Sequence, residues 1–245
     1  MTYGKIAVMA VVAALTAAVP LGAMGYLHRK KDGRWIPFLT GALCFPLFAM
    51  GLERILHLLV LGSPLGAAVT GNPWLYALYG GLAAGIFEET GRLAAFRFVL
   101  RKRREPVTAL SYGLGHGGIE AFLLVGLTMI ANLSLGLAYE GGSLPPETAE
   151  LAEAVIGTPT VLFVWAGVER LSAMILHVSN SVLVFAAVRA GRRWLFPAAI
   201  LTHAAANFIA VASSRFLPVA AVEALVMACS LLTAWLAAGV YRKLT

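Results

Sequence analysis

Gly85-Ile-Phe-Glu-Glu-Thr-Gly-Arg92 lies in the middle of an otherwise apolar stretch of the chain. The stretch is long enough to cross a bilayer, and Glu88 and Glu89 fall about halfway along it. An ionisable side chain at that depth costs roughly 2.5–3.5 kcal/mol on insertion scales, so such groups normally face the protein interior or a wet cavity and are paired. Arg92 is within helical reach of either glutamate, which leaves the other free for chemistry. The groups that meet these carboxylates must come from other segments.

The composition of the 245-residue chain is that of a membrane protein. Hydrophobic residues make up 60% of it and charged residues only 13%, whereas a soluble domain has about 45–50% and about 25%. The net charge of +7 is concentrated in short basic clusters at the ends of apolar runs, which is typical of membrane topology and not of a nucleic-acid surface. The two cysteines, Cys44 and Cys229, lie inside apolar runs, so no disulfide framework is expected. We predict a multi-pass protein of the cell (plasma) membrane, surrounded by lipid and without a nucleic-acid partner.

A helix needs about 20 apolar residues to cross the hydrocarbon core, and the chain has seven runs of this kind. Their predicted bounds are 5–27, 36–61, 74–99, 107–137, 158–188, 194–212 and 217–241. The first run is long and is followed by a basic cluster, so we expect it to be a retained span. The predicted fold is therefore all-α, a polytopic bundle of about seven transmembrane helices that forms one domain over residues 1–245.

Basic clusters occupy alternate connections and the C-terminal end. They begin at Arg29, Arg101, Arg189 and Arg242. The opposite side has a charge-free loop at 62–73 and an acidic loop at 138–157. The positive-inside rule then places the N-terminus outside and the C-terminus in the cytoplasm. Because Pro145 and Pro146 precede a run of helix-forming residues, the external loop 138–157 is predicted to hold a short helix.

Several other spans carry polar residues at positions where helical spacing brings them onto one face. These residues are His116 and Glu120 in the fourth span, His177 in the fifth, and His203 and Asn207 in the sixth. Counted from the cytoplasmic end of each span, Glu88 and the three histidines all lie roughly 13–18 Å deep at ~1.5 Å per residue. We therefore expect side chains from four helices to meet in one layer, nearer to the cytoplasmic leaflet.

Imidazoles and carboxylates in a shared layer are suited to activating water. The predicted zinc ligands are His116, His177 and His203, with Glu120 as a fourth ligand or as an orienting group. The predicted catalytic groups are Glu88 as general base, Glu89 held by Arg92 or sharing that role, and Asn207 as the donor to a tetrahedral oxyanion. The alternative is that a glutamate and a histidine activate water without a metal.

Each of these residues also has a purely structural interpretation. A single histidine within the membrane is more often a hydrogen-bond partner between helices than a metal ligand. Two further groups are more readily explained as buried ion pairs that hold the bundle: Glu169 with Arg170, and Glu53 with Arg54 and His57. What favours a site is the coincidence of so many polar groups at one depth.

Three motifs, in this order along the chain, resemble those of the YhfC family of intramembrane metalloproteases. They are Glu88-Glu89-Thr-Gly-Arg92, His116-Gly-Gly-Ile-Glu120 and His203-Ala-Ala-Ala-Asn207. That family is similar to the PrsW-type proteases and, more distantly, to the CAAX-prenyl endopeptidase and bacteriocin-immunity group, and the resemblance covers about residues 40–210. The CAAX-type pattern has Phe where this chain has His116 and His where it has Glu120. The extra histidines of this chain therefore favour a metal more than the CAAX-type pattern does.

The residues and the resemblance together predict an intramembrane hydrolase, namely a metal-dependent peptidase that acts on a protein or peptide substrate. Two alternatives stay open. A proton-coupled transporter or channel would use the glutamates and histidines as a relay, although the sequence has no visible inverted repeat. A non-catalytic scaffold or immunity protein would keep the same groups as a polar core.

Overall fold

A computed structural model describes the whole chain except the side chain of Pro146, and within that description nine helices are joined by short connections. The helices are α1 Tyr3–Lys30, α2 Trp35–Leu61, α3 Pro64–Gly71, α4 Pro73–Ala94 extended by the π-helical turn Ala95–Val99, α5 Val107–Glu140, α6 Pro146–Gly157, α7 Thr160–Arg189, α8 Leu195–Ser213 and α9 Val219–Tyr241. The short helices α3 and α6 lie in connections between the long ones. The placement of 138–157 outside the membrane stays a prediction.

Six helices, namely α1, α2, α5, α7, α8 and α9, are long and apolar enough to cross a membrane. The predicted all-α membrane bundle is therefore confirmed. Helix α4 coincides with the predicted span 74–99 but is not among the six, because Glu88, Glu89 and Arg92 make it less apolar. That α4 also crosses the membrane, and that the N-terminus lies outside, stay predictions.

Three of the long helices contain a π-helical turn. These turns are Pro46–Glu53 in α2, Ala95–Val99 in α4 and Phe122–Gly126 in α5. A π-helical turn takes more residues than an α-helical turn, so it rotates the faces of the helix that follow it, and such turns are frequent at functional sites. Glu53 is the last residue of the turn in α2, and the turn in α5 begins two residues after Glu120.

Helix α5 packs between α2 and α7, and glycines allow its backbone to approach both. A Cβ atom on Gly115 would lie 1.9 Å from the carbonyl oxygen of Phe38, and one on Gly113 would lie 2.5 Å from the Cα atom of Val178. Small residues permit such close helix contacts in lipid. The approach brings His116, which is next to Gly115, into the space between the helices.

Helix α4 is held against α8 in the same way. A Cβ atom on Gly85 would lie 2.7 Å from the carbonyl oxygen of Ile200, and one on Gly81 would lie 2.6 Å from that of Ala204. The glutamate pair of α4 follows Gly85 by about one turn, so this contact carries both carboxylates toward His203.

We expect Gly115→Ala to destabilise the bundle by about 1–3 kcal/mol, because the added methyl group would overlap the backbone of α2. Gly22→Ala is the matched control, since Gly22 also lies within a helix but a Cβ atom there would meet nothing within 4 Å. Thermal unfolding in detergent should show a lower melting temperature for Gly115→Ala alone. Equal melting temperatures for the two variants would contradict this packing.

Candidate metal centre

A cluster of buried carboxylates, imidazoles and one guanidinium group lies inside the bundle. Its members are Glu88, Glu89 and Arg92 on α4, His116 and Glu120 on α5, His177 on α7, and His203 on α8. None of these seven residues, which we call the central cluster, is more than 8% exposed. The structure thus brings together seven of the eight site residues predicted from the sequence.

The carboxylate of Glu88 is the point on which three imidazoles converge. His116 Nε2 lies 2.8 Å from Glu88 Oε2. His177 Nδ1 lies 3.9 Å from Glu88 Oε2, and His203 Nε2 lies 3.8 Å from Glu88 Oε1. One ligand atom each of Glu88, His116 and His177 lies within 4.8 Å of the others, which is a spacing that could hold a metal ion.

Two of the three imidazoles are fixed by a second carboxylate on the side that faces away from Glu88. His203 Nδ1 hydrogen-bonds to Glu89 Oε1 over 2.8 Å, and His177 Nε2 contacts the carboxylate of Glu120. A carboxylate on one ring nitrogen holds the proton there and turns the lone pair of the other nitrogen inward, as in histidines that bind metals. The nitrogens of His177 and His203 that face Glu88 are therefore the ones that carry lone pairs.

Arg92 joins two parts of the central cluster. It forms an ion pair with Glu89 in which both side chains are fully buried, and its Nη2 atom donates to His177 Nδ1 over 3.0 Å. A guanidinium group can only donate, so Nδ1 of His177 is an acceptor and its ring proton lies on Nε2, toward Glu120. The guanidinium also lies over the ring of Tyr112, with Cζ 5.9 Å from the ring centroid.

Two residues of α7 that were not among the predicted site residues support the carboxylates of the site. Arg170 forms the predicted pair with Glu169, but its Nη1 atom also donates to Glu120 Oε1 over 2.6 Å. Asn180 Nδ2 donates to Glu89 Oε1 over 3.2 Å. Their spacing from His177 could have indicated both residues, because Asn180 follows His177 by about one helical turn and Arg170 precedes it by two, which places all three on one side of α7.

Asn207 is the one predicted site residue that lies apart from the central cluster. It is half-buried, makes no side-chain hydrogen bond among the described residues, and lines a neighbouring cavity together with Glu53 and His57.

Glu53 Oε1 pairs with His57 Nε2 over 3.1 Å, as predicted. Arg54 is exposed and takes no part, so its inclusion in that ion pair was wrong; helical spacing places it on the other face.

The donors and the charge of the central cluster fit a divalent metal. With Arg170 included, three buried carboxylates face two guanidinium groups, so with neutral imidazoles one negative charge is in excess. A buried net charge is unfavourable unless a cation or a proton neutralises it. Imidazole nitrogen and carboxylate oxygen are ligands that zinc accepts, and His177 and His203 already carry the ring proton on the nitrogen that faces away from Glu88. A metal on His177 Nδ1 would replace the hydrogen bond that Arg92 donates there.

Comparison with known proteins gives one family and one close relative. The model of the YhfC intramembrane metalloprotease family matches residues 15–227. The uncharacterized membrane protein YhfC of Bacillus subtilis (strain 168) is 32% identical to the chain, and the match covers 84% of each protein. No solved structure matches the chain. The resemblance drawn from the three motifs and the multi-pass membrane localisation are both confirmed.

We expect Arg92→Met to destabilise the protein by about 3–5 kcal/mol, because it leaves Glu89 as a buried charge without its partner. Arg97→Met is the control, since Arg97 lies on the same helix but is exposed and forms no ion pair among the described residues. Unfolding by titration with a denaturing detergent measures both variants. The double variant Glu89→Gln/Arg92→Met should recover part of the lost stability. If Arg92→Met loses no more stability than Arg97→Met does, the pairing of Arg92 with Glu89 is contradicted.

Proposed function

The chain belongs to the YhfC intramembrane metalloprotease family, and from that membership we propose that it is a metal-dependent peptidase with its centre buried among the helices. The observation that carries the proposal is the convergence of three imidazole nitrogens on the carboxylate of Glu88. A polar core that served only to hold helices together would not require two of these rings to be oriented by separate carboxylates. Such oriented rings are what a centre that binds a metal and activates water needs.

Glu88, His116 and His177 are the residues that would hold the metal, which we take to be zinc. Two imidazoles and one carboxylate form a ligand set that catalytic zinc sites use, with a further position left for water or substrate. When bound, the metal would polarise the peptide carbonyl and make a water molecule more acidic. This assignment changes the role of Glu88 from the general base predicted from the sequence to a ligand.

His203 then has the position of the general base. Its Nε2 atom faces the centre, 3.8 Å from Glu88 Oε1, and its Nδ1 atom is bound to Glu89. The carboxylate of Glu89 keeps the ring in the tautomer that accepts a proton at Nε2 and stabilises the imidazolium that forms, as the aspartate does in serine-protease triads. Arg92 holds Glu89 in turn.

The chemistry of peptide hydrolysis follows from these positions. His203 Nε2 takes a proton from the attacking water, whose oxygen forms a bond to the carbonyl carbon of the scissile peptide. The bond between that carbon and the peptide nitrogen then breaks, and the imidazolium returns the proton to the leaving nitrogen. Glu120, which Arg170 holds, keeps His177 in place throughout.

The metal content of purified variants distinguishes a residue that binds the metal from one that acts as the general base. We expect purified wild-type protein to carry about one zinc ion per chain and Glu88→Gln to lose it, because a neutral amide is a much weaker ligand than a carboxylate. His203→Ala should keep the metal. His28→Ala is the control, since His28 is exposed at the end of α1. Elemental analysis gives the answer, and the opposite pattern would restore Glu88 as base and His203 as ligand.

Peptide hydrolysis is expected to fall at least 10²-fold in kcat for His203→Ala, which is the smaller end of what a general base contributes. It should fall at least as far for Glu88→Gln, because that variant loses the metal. Glu223→Gln is the matched control, because Glu223 is also a buried glutamate of a long apolar helix but forms no hydrogen bond or ion pair with any member of the central cluster. Activity is measured with the protein in lipid nanodiscs. Full activity in both variants would remove the hydrolase assignment, and activity without stoichiometric metal would support the metal-free mechanism.

A further inference from the structure

A second polar region lies beside the central cluster, around a cavity of about 410 Å³. Sites for small ligands commonly have ~300–1,000 Å³. The polar residues that line this cavity are Glu53, His57, Tyr76, Tyr79, Glu169 and Asn207. They come from α2, α4, α7 and α8, so we call it the four-helix cavity. Neither the family match nor the proposed metal centre assigns it a role.

The four-helix cavity adjoins the central cluster. Ala84, in its wall, precedes Glu88 by one turn of α4, and Asn207 follows His203 by one turn of α8. One turn is about 5.4 Å along a helix. The carboxylate of Glu53 is also near enough to interact with the charges of Glu88 and His203. The cavity wall therefore lies about one helical turn from residues of the proposed reaction centre.

Glu53 is aimed into this cavity and has an oxygen without a partner. The residue is only 8% exposed. Its Oε1 atom is bound by His57 Nε2 over 3.1 Å, while His57 Nδ1 is bound to the hydroxyl of Tyr79 over 2.8 Å. Its Oε2 atom has no hydrogen bond among the described residues, and neither has the side-chain amide of Asn207. Both groups face the cavity with unused hydrogen-bonding capacity, so they are suited to a ligand that supplies hydrogen bonds.

We propose that the four-helix cavity binds the extended backbone of the peptide substrate next to the scissile bond. Glu53 accepts a hydrogen bond from one backbone N–H group, and Asn207 donates to a backbone carbonyl. A carboxylate only accepts, whereas an amide both accepts and donates, so the pair matches the alternating groups of an extended chain. His57 and Tyr79 are positioning residues that hold Glu53. This assignment rests on the proposed peptidase function.

The same chemistry excludes a helical substrate segment at this position. In an α-helix the backbone N–H and carbonyl groups already bond to one another. A substrate helix from the membrane must therefore unwind before its backbone reaches Glu53.

The test uses a synthetic polyleucine peptide with a central Gly–Pro pair, which breaks the helix, and the same peptide without the pair. Wild-type protein in nanodiscs should bind and cleave only the interrupted peptide. In Glu53→Leu, KM and the Kd from thermophoresis should rise about 10- to 100-fold with kcat retained, since a hydrogen bond to a charged group contributes ~1.5–3 kcal/mol. In Asn207→Leu they should rise about 2- to 10-fold, since a hydrogen bond between neutral groups contributes ~0.5–1.5 kcal/mol. Glu223→Leu is the matched control and should leave KM unchanged.

Ester substitutions in the peptide keep the test decisive if Glu53→Leu does not fold. Each ester removes one backbone N–H, and at one position it should raise the Kd for wild-type protein about tenfold or more. The same ester should have no further effect on Glu53→Ala or Glu53→Leu, whichever folds, because neither side chain can accept the N–H bond. A merely structural role of Glu53 would not give this coupling. Absence of any sensitive position, or an unchanged KM in Glu53→Leu with cleavage intact, would overturn the cavity assignment and leave the peptidase standing. Binding that depends on Glu53 without any cleavage would instead remove the peptidase and keep the peptide site.

Discussion

Two of the three carboxylates of the central cluster are each held by a guanidinium group of opposite sign. Coulomb interactions are several-fold stronger in a protein interior than in water, and a buried charge without a partner is correspondingly unfavourable. Glu89 is paired with Arg92, and Glu120 with Arg170. These two carboxylates orient His203 and His177. The pairing of charges therefore determines where two of the imidazoles point, and with them which ring nitrogens face Glu88.

The membrane fold and the members of the cluster were predictable because both depend on length and spacing. Apolar runs are long and charged residues are rare, so the spans are distinct in the sequence. All spans cross a slab of similar thickness, so counting residues from the basic ends placed the histidines and Glu88 at one depth. Glu88 and the three histidines indeed contact or closely approach one another.

The partner of each polar group was not predictable, because helical spacing fixes relative positions on one helix but not its rotation against its neighbours. That rotation depends on packing, such as the contact of Gly85 with Ile200, and on π-helical turns that shift one part of a helix against another. Arg170 therefore reaches Glu120 as well as its sequence neighbour. For the same reason Asn207 turned out to line the neighbouring cavity instead of the central cluster.

The low hydropathy of α4 has a consequence for the biogenesis of the protein. Glu89 and Arg92 pair with each other within α4, but the imidazoles that surround Glu88 come from α5, α7 and α8, which the ribosome makes later. An unpaired Glu88 would cost roughly 2.5–3.5 kcal/mol in the bilayer, so α4 is less favourable as an isolated inserted segment. Its release into lipid must therefore be delayed at the translocon, or assisted there, until the C-terminal helices arrive.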